Sequence, residues 1–284
     1  MRYTIFLVIL SYCLIGCHFH ASIHEDREAL RRSGAKVRPS RMVYHQGCAL
    51  RYPGNSLPAI ECAIRERAPI IEIDIRASND GELFLFHDRR INLKAYSERM
   101  CSMSECPSVA LSDLSSEEIA SWRYRGNEVD SPALLRGSRD RECGKNIARC
   151  TNETGYALRI LRFDDLVELD LDGSDLLLDI KGDDLQIAKK ILAKTKATHL
   201  EKRLIFSCSR GSNCIEELKQ VSPASRVLFR AKSPIDVIRA LTTKPEIIQI
   251  DKEWSSPELE DKIREAGASI LLKVLSIDYL LVDR

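Results

Sequence analysis

The sequence predicts an α/β fold, a TIM-type (β/α)8 barrel, from three observations. Short runs of strand length recur along the chain, they are almost continuously apolar, and segments with apolar residues at three- and four-residue spacing separate them. Such strands, alternating with amphipathic helices, indicate a parallel sheet covered on both faces. Eight runs within about 240 residues fit a closed barrel, and a doubly wound open sheet is the alternative.

The strands and helices can be assigned in order along the chain. The eight predicted strands are Met42–Tyr44, Ile70–Ile75, Leu83–Phe86, Leu176–Ile180, Leu204–Ser207, Val227–Phe229, Ile247–Ile250 and Ile270–Leu275. The predicted helices are SLPAIECAIRERA, DLQIAKKILAKT, SNCIEELKQV, PIDVIRALTT and SPELEDKIREAG. Each has the amphipathic pattern of a helix that covers a sheet.

One connection is too short for a standard barrel. The second and third strands are separated by a few residues around Asn79-Asp80-Gly81, a typical turn sequence. Parallel neighbours need a crossover of a dozen or more residues. We therefore expect an irregular connection, with these two strands paired through a tight loop at one rim.

Residues from 89 to about 160 interrupt the alternation and predict a cysteine-containing insertion after the third strand. This segment carries Cys101, Cys106, Cys143 and Cys150 in polar surroundings. Its one clear helix start is LSDLSSEEIASW, where Ser115 and Glu118 have the spacing of a capping box. We expect the insertion to be stapled by short disulfides and to lie close to the mouth of the barrel.

The first 40 residues predict export. Residues 1–17 hold an uncharged apolar run too short to span a bilayer, which is typical of a signal peptide. The run ends in Leu-Ile-Gly-Cys, which resembles the lipobox of bacterial lipoproteins and implies lipidation of Cys17. A plain secretory signal is the alternative. Residues 18–40 are predicted as a polar tether, and 41–284 as the barrel.

Composition and cysteine content fit an exported, folded protein. Hydrophobic residues make up 44% of the 284 residues, charged residues 30%, and the formal net charge is +1, which excludes a strongly basic nucleic-acid surface. Of ten cysteines, eight remain beside Cys13 and Cys17, and an even number in an exported protein predicts disulfides. Zinc is disfavoured because the cysteines form no Cys-x-x-Cys pair.

Polar residues end several predicted strands and point to one site. They are His45, Glu72, Asp74, His87, Asp179 and Lys181. Strand residues two apart share a face, and the carboxyl ends of parallel barrel strands meet at one rim. Three carboxylates gathered there would repel each other unless a cation such as Ca²⁺ or Mg²⁺ joined them, and two histidines beside them could act as general acid and base.

The same residues carry a family resemblance. The ordered motifs YHQG, PGNS, EIDI, NDGELFLFHD and LLLDIKG resemble those of the glycerophosphodiester phosphodiesterase family, and LSDLSSEEIASWRYRG, RILRFDDLVEL and YLLVDR extend the likeness to the C-terminus. The resemblance implies a TIM-type barrel, a divalent metal and cleavage of a phosphodiester to an alcohol and glycerol phosphate. A small-molecule or lipid-derived diester is thus the expected substrate. The lipobox-like sequence predicts that the protein is located in the bacterial cell envelope, anchored by a lipid.

Matched position by position, the resemblance assigns roles to eight residues. It implies that His45 and His87 are the acid/base pair, that Glu72, Asp74 and Asp179 bind the metal, and that Lys181, Asn55 and Gln46 occupy phosphate-side positions.

Four departures bear on activity. Gln46 replaces an arginine, Gly54 a glutamate and Asp179 a glutamate, and a tryptophan motif is missing near the last strand, where a helix is also absent. Lys273 could supply a replacement positive charge. These departures keep two alternatives open: a non-catalytic barrel lipoprotein, and a phospholipase D-like variant of the same fold.

Overall fold

The computed structural model describes residues 42–49, 52–92, 108–121, 159–182, 184–208, 213–273 and 278–282. Its strands are β1 Met42–Tyr44, β2 Ile70–Ala77, β3 Leu83–Leu85, β4 Arg90–Asn92, β5 Ser108–Ala110, β6 Asp175–Ile180, β7 Leu204–Cys208, β8 Arg226–Arg230, β9 Ile247–Asp251, β10 Ser269–Lys273 and β11 Asp278–Val282. Its helices are α1 Leu57–Arg65, α2 Ser116–Ser121, α3 Phe163–Val167, α4 Leu185–Thr195, α5 Asn213–Val221, α6 Pro234–Leu241 and α7 Pro257–Glu265. Short 3-10 turns cover Leu111–Asp113 and Lys252–Trp254.

Eight of these strands close into a ring, in the order β1, β2, β6, β7, β8, β9, β10, β11 and back to β1. Neighbours from β1 to β10 pair in parallel, so the predicted α/β barrel is confirmed. The last strand differs, because β11 is antiparallel to both β10 and β1. Four residues, 274–277, separate β10 from β11, too few for a crossover helix.

The prediction of Leu83–Phe86 as the third strand of the barrel wall was wrong. β3 pairs antiparallel with the last residues of β2, where Ile75 faces Leu85 and Ala77 faces Leu83. The tight turn expected between them is present: Ser78 N–H donates to the Glu82 carbonyl at 2.9 Å, and Gly81 has φ +81°. Five intervening residues reverse the chain but cannot return it for a parallel pairing, so β6 follows β2 in the ring.

The helices on the outside begin at the expected boundaries. Ser56, Asp184, Ser233 and Ser256 each accept a hydrogen bond from a backbone N–H of the first turn of α1, α4, α6 and α7, respectively. Proline in the first turn of α1, α6 and α7 fits because those N–H groups lack intrahelical partners. Their apolar faces pack on the outer side of the strands in one continuous core.

The described parts of the predicted insertion include a short two-stranded sheet, β4 with β5, and helix α2. The predicted capping box is confirmed: Ser115 N–H donates to Glu118 Oε2 at 2.8 Å, and Glu118 N–H donates to Ser115 Oγ at 3.2 Å. Asp80 of the β2–β3 turn accepts hydrogen bonds from Ser116, so the turn holds this helix. Cys101, Cys106, Cys143 and Cys150 lie outside the described residues.

Two disulfides confirm the prediction for four of the eight cysteines. Cys48–Cys62 ties the loop after β1 to α1, and Cys208–Cys214 ties the end of β7 to the first turn of α5. The predicted signal segment 1–17 with Cys17 and the tether 18–40 lie outside the described residues. Within the described part, no helix has both the length and the apolar character needed to cross a bilayer.

Candidate active site

The barrel interior changes from apolar to polar along the strands. An apolar layer is formed by Val43, Ile70, Leu177, Ile205, Leu228, Ile247 and Leu271. Two positions further along each chain segment stand the residues of a polar layer: His45, Glu72, Asp179, Ser207, Arg230, Gln249 and Lys273. Because strand residues two apart share a face, the polar layer lies over the apolar one, toward the carboxyl ends where TIM barrels carry their active sites.

Three carboxylates converge here: Glu72 and Asp179 belong to the polar layer, and Asp74 lies two residues beyond Glu72 on β2. Glu72 and Asp74 have no exposed surface, and Asp179 is 5% exposed. One oxygen from each lies within 4.8 Å of the others. Among the described residues, Glu72 Oε1 finds no hydrogen-bond donor although it is buried. Converging carboxylates with an unsatisfied buried oxygen fit a hard divalent cation.

Two cations lie against these carboxylates. Lys181 Nζ is 2.6 Å from Asp74 Oδ1 and 2.6 Å from Asp179 Oδ2. Arg230 Nη1 is 2.9 Å from Asp179 Oδ2, and its Nη2 is 3.8 Å from Glu72 Oε1. Arg230 was not predicted as a site residue. Its sequence signal was the same as for the others, a charged residue that directly ends an apolar strand.

The loop after β1 holds the acidic residues by hydrogen bonds. Gln46 N–H donates to Glu72 Oε2 at 3.0 Å, and the Gln46 amide donates to Asp74 Oδ2 at 2.7 Å. The Asn55 amide donates to the same oxygen at 2.7 Å, while its own carbonyl oxygen accepts from Asp74 N–H at 3.0 Å. The structure thus places Gln46 and Asn55, both predicted on the phosphate side, as residues that orient carboxylates.

Gly54 and Gln46 share one space. A Cβ at position 54 would lie 2.1 Å from Gln46 Oε1 and 3.0 Å from Gln46 Cβ. Any side chain at 54 would therefore displace the Gln46 amide from its present place. The two departures from the family motif are structurally coupled.

The two predicted histidines occupy different environments. His45 Nε2 lies 3.7 Å from Glu72 Oε2, in a partly buried position. His87 is 55% exposed, and its Nδ1 lies 2.8 Å from Asp88 Oδ1. The Arg76 guanidinium donates to the His87 backbone carbonyl at 2.8 and 3.0 Å, which fixes the loop. Asp88, the next residue in the chain, is thus the partner of the His87 ring.

Burial and charge shift the titration of the site. Burial, and next to it Asp74, raises the pKa of Glu72 to about 8 against the opposing effect of Arg230. Burial lowers the pKa of His45 to about 4; Asp74 opposes this, and His87 and Arg230 add to it. Burial alone would raise the pKa of Asp179, but Arg230 and Lys181 hold it below its usual value. In the metal-free protein, these shifts favour the protonated form of Glu72 and the neutral form of His45 at neutral pH.

The protein is thus an α/β barrel whose mouth is acidic and flanked by histidines. The family model that matches is the glycerophosphoryl diester phosphodiesterase family, over residues 45–234, about two thirds of the chain. The chain belongs to this family.

Individual proteins that resemble this chain carry names of the same family. Probable glycerophosphodiester phosphodiesterase 1 of Mycobacterium tuberculosis is 30% identical over 97 residues, which cover 33% of this chain and 34% of that protein. Three solved structures share the fold. A Silicibacter pomeroyi protein assigned as a glycerophosphoryl diester phosphodiesterase has TM-score 0.62, 15% identity and 84% coverage of each chain. A glycerophosphodiester phosphodiesterase of Thermotoga maritima has TM-score 0.55, 19% identity and 84% and 88% coverage. An Oleispira antarctica phosphodiesterase, solved with the product sn-glycerol-3-phosphate, has TM-score 0.57, 14% identity and 82% and 83% coverage.

Proposed function

We propose that this protein is a divalent-metal-dependent phosphodiesterase that hydrolyses glycerophosphodiesters to an alcohol and glycerol phosphate. The observation that carries the proposal is the convergence of three buried carboxylate oxygens within 4.8 Å, beside His45, at the mouth of the barrel. Family membership and the product bound to the Oleispira antarctica phosphodiesterase support the substrate class.

Each residue has a role that its surroundings support. Glu72, Asp74 and Asp179 are the proposed ligands of Ca²⁺ or Mg²⁺, which would stabilise negative charge on the phosphoryl oxygens. His45 is kept neutral by burial, so it can take a proton from the attacking oxygen. His87, with Nδ1 held by Asp88, presents Nε2 to protonate the leaving oxygen.

The test is hydrolysis of glycerophosphocholine and bis-p-nitrophenyl phosphate with Mg²⁺, Ca²⁺ or EDTA. His45→Ala and His87→Ala should each lower kcat by about 100-fold or more, the usual contribution of a general acid or base. His199→Ala is the matched control, because the exposed His199 lies in the loop between α4 and β7, before the strand rather than at its carboxyl end, and contacts the Leu169 carbonyl. Turnover that persists in EDTA, or that survives both histidine substitutions, contradicts the proposal.

A second candidate is a non-catalytic barrel that binds a ligand or serves a structural role. One observation favours it: Lys181 and Arg230 already compensate two of the three carboxylates, and the Gln46 amide holds Asp74. Absence of both metal binding by calorimetry and diester turnover would support this candidate. A phospholipase D-like specificity is separated in the same assay by adding lysophospholipid and sphingolipid substrates.

We also propose that the protein is exported and anchored through a lipid on Cys17 in the bacterial envelope. The proposal rests on the apolar run that ends in Leu14-Ile15-Gly16-Cys17. Incorporation of labelled palmitate should be abolished by Cys17→Ser. Labelling that persists in this variant would place the lipid on another residue, and absence of labelling from the unchanged protein would support a plain secretory signal.

A further inference from the structure

Two buried polar atoms near the carboxylates have no role in the site described so far. Among the residues that the structure describes, Ser207 Oγ and Gln249 Oε1 find no hydrogen-bond partner. Ser207 is 5% exposed and Gln249 is 7% exposed. An unsatisfied buried polar group is costly, so such atoms are usually satisfied by water or by a ligand.

These two residues flank Arg230 on three adjacent strands. β7, β8 and β9 are neighbours in the ring, and Arg230 is paired in register with Gln249. The residues two positions earlier, Ile205, Leu228 and Ile247, all belong to the interior apolar layer. The three side chains therefore share the inner face of the barrel. We call them the polar wall: Ser207, Arg230 and Gln249.

The polar wall stands opposite the loop after β1 and touches the acidic cluster through its central residue. β8 is the fifth strand of eight counted from β1, so it lies across the barrel. Arg230 reaches Asp179 at 2.9 Å and Glu72 at 3.8 Å, which brings the guanidinium to the edge of the carboxylates. A phosphate next to a cation on the carboxylates would lie beside Arg230.

We infer that the polar wall binds the phosphoglycerol part of the substrate. Arg230 offers a planar set of donors that matches phosphate oxygens, and the Ser207 hydroxyl is a second donor. Gln249 Oε1 is an acceptor, which the phosphoryl group of a diester, having no O–H, cannot satisfy but a glycerol hydroxyl can. The wall thus selects a phosphate ester that carries a neighbouring hydroxyl group. This inference deepens the proposed function, because it names the part of the diester that is held.

The test is calorimetric binding of two probes, sn-glycerol-3-phosphate and inorganic phosphate, to the full chain with Mg²⁺. Arg230→Gln should weaken both probes by roughly tenfold or more, the effect of a hydrogen bond to a charged group. Ser207→Ala should also weaken both, whereas Gln249→Ala should weaken glycerol phosphate more than inorganic phosphate, which lacks the glycerol hydroxyls. Arg230→Lys should restore part of the affinity, because lysine keeps the charge without the bidentate geometry.

The matched control is Arg226→Gln. Arg226 lies on the same strand, but at its other end, where it pairs with Asp175 and Glu246. Its loss should lower the melting temperature and leave both affinities unchanged. Should Arg230→Gln fail to fold, the other three variants decide.

Two results overturn the inference: wild-type affinity for both probes in the Arg230, Ser207 and Gln249 variants, or no binding of either probe by the wild type. Binding that depends on the wall without any diester turnover would keep the inference and refute the hydrolase. Diester turnover, together with unaltered binding of both probes in the variants, would support the hydrolase and refute the inference about the polar wall.

Discussion

Asn55 fixes the position of Asp74, so its replacement by alanine is a sharp test of how the acidic cluster is held. Asn55 is buried, donates to Asp74 Oδ2 at 2.7 Å and accepts from Asp74 N–H at 3.0 Å. Its backbone has φ +60°, a conformation that asparagine tolerates better than alanine does. Asn55→Ala removes both hydrogen bonds. It also leaves an alanine in the left-handed backbone region, where no side-chain hydrogen bond offsets the strain.

The expected loss follows from these contacts. The hydrogen bond to a carboxylate contributes about 1.5–3 kcal/mol, and the neutral one about 1 kcal/mol. Alanine at positive φ costs about a further 1 kcal/mol. We therefore expect Asn55→Ala to lower the free energy of unfolding by about 3–5 kcal/mol, and to weaken Mg²⁺ binding because Asp74 can rotate away.

The assay is denaturant unfolding of the metal-free, disulfide-intact protein, with Mg²⁺ affinity measured in parallel. Asn55→Gly relieves the backbone term, so it should be about 1 kcal/mol more stable than Asn55→Ala. Asn79→Ala is the control, because the exposed Asn79 makes only a 3.4 Å side-chain contact with the Asp113 carbonyl. A loss below about 1 kcal/mol with unchanged Mg²⁺ affinity would refute the role given to Asn55.

Three further predictions concern the same end of the barrel. Gly54→Ala should displace the Gln46 amide from Asp74 and cost about 1.5–3 kcal/mol, the contribution of a hydrogen bond to a carboxylate. The cost should be smaller in a Gln46→Ala background, which a double-mutant cycle measures. Glu72, with a pKa near 8 in the fold against 4.5 ordinarily, binds more protons folded than unfolded, so the stability of the metal-free protein should fall as pH rises toward 9. Melting curves in EDTA should show a melting temperature that falls with pH, and the increase in melting temperature on adding Mg²⁺ should grow with pH. An equal Tm in EDTA at pH 6 and pH 9 contradicts this prediction. Replacing Cys48 and Cys62, 14 residues apart, by alanine should cost about 3 kcal/mol in denaturant unfolding, and a loss under about 1 kcal/mol would show that the loop is held without the disulfide.

The fold was largely predictable because its signals are local. Apolar runs and amphipathic patterns place the strands and helices, and the start of α2 follows from two residues three apart. The prediction that failed was which strands belong to the ring of the barrel. Leu83–Phe86 has the composition of a wall strand, yet the short turn after β2 makes β3 a hairpin partner. Pairing is decided by the length of connections, which composition does not contain.

The candidate site was predictable to the same depth. Charged residues late in parallel apolar strands lie toward one rim when they share the inner face, so Glu72, Asp74 and Asp179 could be grouped without coordinates. Contacts across the barrel could not be predicted from the sequence, because the closed ring decides which strands face each other. Arg230 illustrates this: its strand end was visible in the sequence, whereas its contact with Asp179 requires β6 and β8 to curve around one interior.

The charges at the mouth explain how the proposed site can be stable without a metal ion and still attract the proposed phosphodiester substrate. In the metal-free protein Glu72 is protonated, so the negative charges of Asp74 and Asp179 are balanced by Lys181 and Arg230. A divalent cation that displaces the Glu72 proton would leave one net positive charge, counted over the three carboxylates, Lys181, Arg230 and the cation. A phosphodiester carries one negative charge and restores balance. The monoester product carries up to two, so the mouth would match the substrate in charge better than the product. Gln46 and Gly54 leave this balance unchanged, because together they replace an arginine and a glutamate whose opposite charges would cancel.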